Sequence, residues 1–146
     1  KLKHNINQHA VKGKKVVLID DSIVRGTTSV KIVELMRQAG AQEVHMKIAS
    51  PPIKYPDFYG IDTPEKAQLL ASLKSEEEMA AYIGADSLSF LSVDGLYRAM
   101  GYEKGRDDTN PAFTDHCFTG DYPTPLEDNN IAWLFETSQL SVRNEN

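Results

Sequence analysis

The stretch KVVLIDDSIVRGTTS, Lys15 to Ser29, runs from apolar β-branched residues into two adjacent carboxylates and then into a small, hydroxyl-rich turn. Two acids side by side where a buried strand ends cannot both face a core. Their mutual repulsion is costly unless a cation or a polyol shares them. A sugar diol together with hydrated Mg²⁺ satisfies both Asp20 and Asp21. Past the pair, Gly26 permits close backbone approach. Thr27, Thr28 and Ser29 then place hydroxyls and amides at the start of a helix, where the macrodipole favours an anion. Asp-Asp-Ser alone would only turn the chain and cap a helix. The whole string reads instead as one binding surface, with a length about that of a ribose 5-phosphate.

The elements that must position these residues follow from the flanking pattern. Val16 to Ile19 is a continuous apolar run suited to a central parallel strand covered on both faces, ending at Asp20. Ser29 is expected to cap a helix whose apolar stripe is Val30, Ile32, Val33, Leu35 and Met36, stopping at Gly40. Val44, Met46 and Ile48 alternate with His45 and Lys47 as a second strand with one face less buried. Strand, helix and strand make a right-handed α/β unit, and ligands of such sheets sit beyond the carboxyl ends of the strands, where Asp20 and Asp21 fall. SPPIKYPDFYGIDTP, residues 50–64, has four prolines and reads as a long ordered loop of the kind that is often functional. A helix is expected from Thr63-Pro64 through Leu73. A capping box at Ser75 to Glu78 should open another, bearing Met79, Tyr82 and Ile83 and closed by Gly84. Ser87 to Ser92 alternates as a strand, and residues 93–101 form a short helix. From Tyr102 onward an extended, wrapped tail is expected rather than a second core, with Ser138 to Asn146 frayed. The predicted fold class is α/β, a parallel sheet flanked by helices, with residues 1–101 as part of a domain and 102–146 as the tail.

With 146 residues the chain is about one domain long, enough to bury roughly 70% of its unfolded surface. No apolar run approaches the ~20 residues of a membrane span and no secretory leader pattern opens the sequence, so no membrane association and a cytoplasmic location are expected. The single cysteine, Cys117, excludes an intramolecular disulfide and leaves too few ligands for a cysteine-based zinc or iron–sulfur site. A net charge of -5 argues against nucleic acid, although Lys1, Lys3, Lys12, Lys14 and Lys15 cluster near the start. His116 adjoins Cys117, but neighbours in an extended segment point opposite ways, so Cys117 is read as a buried structural thiol and not as a nucleophile. His4, His9 and His45 lack metal-ligand spacing. Asp62, beside the aromatics of FYGID, is read as part of a packed loop anchor, and Glu76 to Glu78 belong to a helix N-terminus.

VVLIDDSIVRGTT resembles the phosphoribosyl pyrophosphate (PRPP) fingerprint of type I phosphoribosyltransferases. Together with SPPI, FYGID, IGADSLSFLSVDGL and CFTGDYPT in that order, it resembles the C-terminal part of glutamine PRPP amidotransferases, which catalyse the first committed step of purine synthesis. The resemblance implies a type I phosphoribosyltransferase-like domain. It assigns ribose hydroxyls, Mg²⁺ and the catalytic role to Asp20 and Asp21, the 5-phosphate to Arg25, Gly26, Thr27, Thr28 and Ser29, and a place under the ribose to Ser22, Ile23 and Val24. The implied reaction is attack of glutamine-derived ammonia on the anomeric carbon with loss of pyrophosphate, giving phosphoribosylamine. The ammonia would come from an N-terminal glutaminase domain absent from this chain, so the chain is expected to be part of a longer protein and inactive by itself. Lys3 sits where the family carries a lysine shortly before the fingerprint strand, which implies a place near the pyrophosphate or a nucleotide, with a plain surface lysine as the equal alternative. A homo-oligomer and inhibition by purine nucleotides are further implications. Some members hold an iron–sulfur cluster, but two of its cysteine positions correspond here to Asp57 and Thr114, so no cluster is expected. A PRPP-sensing regulator or a salvage phosphoribosyltransferase for a purine or pyrimidine base would also explain Asp20 to Thr28. Neither would explain the later motifs.

Overall fold

The computed structural model describes residues 7–61, 63, 65–124 and 126. After a short helix α1 (Gln8–Val11), strand β1 (Lys15–Asp20) leads through the acidic loop into helix α2 (Thr27–Gln38), and β2 (Glu43–Ile48) returns parallel to β1. The register runs from Lys15 opposite Glu43 to Asp20 opposite Ile48. A third strand, β3 (Ser87–Phe90), lies parallel on the other side of β2, so the order is β1-β2-β3 and β2 is central among the described strands. The pleat sends alternate residues to opposite faces. Val44, Met46 and Ile48 thus face the core and are 0–3% exposed. There they meet Val33 of α2, Leu70 of α3 (Leu70–Leu73), and Met79 and Ile83 of α4 (Glu76–Ile83). Burying these side chains stabilises the fold by about 1.5–3 kcal/mol each.

The opposite face corrects one expectation. β1 is an edge strand of the described sheet, with Val17 58% and Ile19 79% exposed, and not a central strand covered on both sides. A run of four apolar residues reports hydrophobicity on both faces but not what covers them. Among the described residues this face is otherwise polar. Lys15 pairs with Glu43 at 2.6 Å, His45 bridges Glu43 and Ser87, and the Lys47 ammonium donates to the Ser89 hydroxyl at 2.7 Å.

Two helix boundaries also differ from the sequence reading. Ser29 does not cap α2. The cap is Gly26 at φ 77°, and Ser29 lies inside the helix, 2% exposed. The helix expected from residue 63 to Leu73 is broken into a single 3₁₀ turn, Lys66–Gln68, and the one-turn α3. Leu69, fully buried, adopts an extended conformation between them, and the Leu70 amide donates to the Val24 carbonyl at 2.8 Å. That tertiary bond takes the backbone donor a continuous helix would need. The capping box at Ser75 and Glu78 is present in both directions, and Gly84 closes α4 at φ 80°. Residues 87–92 give β3 and then the cap of α5 (Val93–Ala99), whose Gly95 amide donates to the Ser92 hydroxyl.

Beyond Tyr102 the described chain is irregular except for the single turn α6 (His116–Thr119), and it is tied to the rest by buried polar contacts. Tyr97 of α5 donates its hydroxyl to Asp115 at 2.8 Å, and Arg106 pairs with Asp115 at 2.7 Å and with Asp121 at 2.6 Å. Tyr97, Tyr102 and Phe113 stack edge to face. The proline-rich loop docks on α6 through the Lys54 and Tyr55 amides, both donating to the Cys117 carbonyl. No helix among the described residues is long and apolar enough to cross a membrane. The expectations for Lys1, Lys3, His4, Asp62 and residues 138–146 fall outside the described residues.

Candidate functional site

Beyond the carboxyl end of β1 the chain opens a cleft of about 290 Å³ lined by Asp20, Asp21, Ser22, Ile23, Val24, Arg25, Gly26, Thr27, Thr28 and Ser29. The structure therefore brings together all ten residues the sequence singles out. They reach the cleft in different ways. The Ile23 side chain is 2% exposed and belongs to the core, so it anchors the loop from below while its backbone lines the cleft. Asp20 accepts the Asp21 amide at 3.0 Å. Asp21 accepts both the amide and the hydroxyl of Ser22, at 2.6 and 3.3 Å. Each carboxylate thus commits one oxygen to the adjoining backbone. Among the described residues neither lies within ion-pair distance of a protein cation. Two neighbouring carboxylates with free oxygens and no internal counter-charge suit an external hard cation with oxygen ligands, or a hydroxyl-bearing ligand.

The far wall of the cleft is the N-terminus of α2. Gly26 reaches the left-handed region, and a Cβ there would lie 2.7 Å from Leu70 Cδ2 and 3.2 Å from Tyr82 Cε1. Only glycine lets the turn pack this closely. α2 begins without a side-chain cap, so the first-turn amides depend on solvent or a ligand for partners. With the Thr27 and Thr28 hydroxyls and the helix dipole, this end is built to receive an anion. Arg25 adds a positive charge, and its guanidinium donates from Nε and Nη2 to the Gln68 side-chain oxygen at 3.1 and 2.9 Å.

Gln68 and Leu70 had no sequence signal. They lie more than forty residues from the loop they support, and only tertiary folding places them there. The same holds for a second cluster. Asp57 accepts from His116 Nε2 at 2.6 Å with one oxygen and from the Tyr59 and Ile61 amides at 2.9 and 2.7 Å with the other. Burial pushes the Asp57 carboxyl up, but those amides and His116 outweigh it and hold the group below the usual carboxylate range. His116 and Cys117 occupy a helical turn and not the extended segment expected. Donor atoms of Asp57, His116 and Cys117 lie within 4.8 Å of one another. Cys117 is half-buried, and burial raises its thiol pKa, with the Asp57 charge adding to the rise. With both Asp57 oxygens already engaged, the cluster acts as a staple between the proline-rich loop and α6.

No family model matches the chain. It is 63% identical over 131 residues to an amidophosphoribosyltransferase from Rhizobium etli, covering 89% of this chain and 26% of the relative. It is 57% identical to the amidophosphoribosyltransferase of Bacillus subtilis, covering 80% and 24%, and 51% identical to a chloroplastic one from Arabidopsis thaliana, covering 84% and 21%. Among solved structures it is similar to the glutamine PRPP amidotransferase from B. subtilis complexed with ADP and GMP, with a TM-score of 0.73 and 54% identity over 84% of this chain and 27% of that one. Over most of its length the chain is therefore similar in sequence and fold to part of the amidophosphoribosyltransferases, and it spans about a quarter of the length of the curated relatives it matches.

Proposed function

We propose that this chain forms the PRPP-binding part of an amidophosphoribosyltransferase, which converts PRPP and glutamine-derived ammonia to 5-phosphoribosylamine and pyrophosphate. The observation that carries this reading is one cleft holding two unpaired carboxylates at one end and an uncapped helix N-terminus at the other. In this reading Asp20 and Asp21 accept hydrogen bonds from the ribose hydroxyls, and Thr27, Thr28 and the first amides of α2 hold the 5-phosphate. Ser22 to Val24 form the floor. Asp20 and Asp21 are also the residues that would hold Mg²⁺, their free oxygens matching its preference for oxygen ligands. When bound, that ion supplies neutralising charge for the departing pyrophosphate. The protein's own contribution is to fix the sugar, so that the anomeric carbon faces incoming ammonia, and to place fixed donors where negative charge grows.

Ammonia would be delivered by a glutaminase domain outside these 146 residues. Residues 1–101 would carry the transferase part and 102–146 the C-terminal tail, of which Asp115 and Cys117 tie to α5 and to the proline-rich loop. A cytoplasmic homo-oligomer inhibited by purine nucleotides completes the reading, with no iron–sulfur cluster, because Cys117 is the single cysteine of these 146 residues and Asp57 and Thr114 stand at two of the cysteine positions. The test is calorimetry of PRPP binding to the full-length protein with and without Mg²⁺. Asp20→Asn and Asp21→Asn should each lose about 1.5–3 kcal/mol, the worth of a hydrogen bond to a charged group. Wild-type affinity in either variant would overturn the assigned roles.

A further inference from the structure

Arg25 is held by a neutral partner. Its guanidinium makes two hydrogen bonds to one amide oxygen of Gln68, and among the described residues no carboxylate lies within ion-pair distance of it. The segment carrying Gln68 is the one that interrupts the expected helix. Its Leu70 amide binds the Val24 carbonyl on one side of Arg25, and its Leu70 side chain packs against Gly26 on the other. Residues 66–70 therefore grip the loop at three consecutive positions, Val24, Arg25 and Gly26. Fixing an arginine usually falls to a carboxylate, which makes a stronger bond but cancels the charge. An amide oxygen fixes the orientation and leaves the full positive charge to the cleft.

We infer that Gln68 is a positioning residue that holds the Arg25 guanidinium at the cleft wall as an unneutralised receptor for a phosphate group. This rests on the reading of the cleft as a site for a phosphorylated ribose. It separates charge from geometry: Gln68→Glu keeps the shape and strengthens the hydrogen bonds but neutralises Arg25, whereas Gln68→Met keeps the charge and loses the anchor. The experiment is calorimetry of ribose 5-phosphate binding to the full-length protein, at low and high salt, with thermal unfolding of each variant as the check on folding. Gln68→Glu should weaken binding about tenfold and flatten its salt dependence, with an unchanged unfolding midpoint, and Gln68→Met about threefold. In an Arg25→Ala background Gln68→Glu should cost nothing further. A merely structural role predicts the reverse order, with Glu tolerated and Met harmful. Gln68→Glu binding as tightly as wild type would overturn the inference while leaving the site intact. A wild-type protein that does not bind ribose 5-phosphate would overturn the site reading and this inference with it.

Discussion

Replacing Gly26 by alanine tests the packing of the loop directly, because the structure divides its cost into two parts. The first is conformational: at φ 77° an L-residue with a Cβ is disfavoured by about 1–2 kcal/mol. The second is contact. The new methyl would meet Leu70 Cδ2 at 2.7 Å and the Tyr82 ring edge at 3.2 Å, and Leu70 is only 5% exposed, so it cannot simply swing into solvent. Displacing a packed side chain in this way costs about 1–3 kcal/mol. The sum is about 2–5 kcal/mol. Gly13 provides the control, because it has nearly the same φ, 73°, and a methyl added there would meet nothing within 4 Å. Gly13→Ala should therefore show the first part alone. Urea unfolding of both variants in the full-length protein measures each, and their difference should be about 1–3 kcal/mol. If Gly26→Ala relieves its clash by lifting the loop away from Leu70, the same energy appears as weaker PRPP binding by calorimetry. A Gly26→Ala protein as stable as Gly13→Ala and with wild-type PRPP affinity would refute the close packing of residues 24–26 on Leu70 and Tyr82.

Truncating Arg106 to alanine leaves Asp115, 4% exposed, without its cation, and should destabilise the protein by about 3–5 kcal/mol in denaturant unfolding. The folded-state pKa of Asp57 lies below its unfolded value of about 3.9, so its contribution is complete above that value and is lost as pH falls through the folded one. The stability gap between wild type and Asp57→Asn should accordingly shrink as pH falls below about 4, and a gap that widens below that value would contradict the sign. The 146-residue chain alone should yield no phosphoribosylamine from glutamine and PRPP, with activity restored in the full-length protein. Glutamine-dependent turnover by the isolated chain would place an ammonia-releasing site within these residues.

The parts of this protein legible in its sequence are those whose causes are local. Asp20 to Ser29 follow one another along the chain, so a strand end, a turn and a helix start place them in one cleft without help from elsewhere. The alternation at Val44, Met46 and Ile48 and the capping box at Ser75 and Glu78 are likewise short-range patterns with one physical outcome. The tertiary structure decided the rest. Whether Val17 and Ile19 are covered depends on what packs against the sheet, which four apolar residues in a row do not specify. The helix expected to end at Leu73 breaks because the Leu70 amide finds the Val24 carbonyl, a competition between two acceptors that residues 63–73 alone do not reveal. Asp57 with His116, and Arg25 with Gln68, are 59 and 43 residues apart. A hydrogen bond over such a distance forms only after burial of the core has offset the loop-closure entropy of bringing its ends together, so neither partner carries a mark of the other in the sequence.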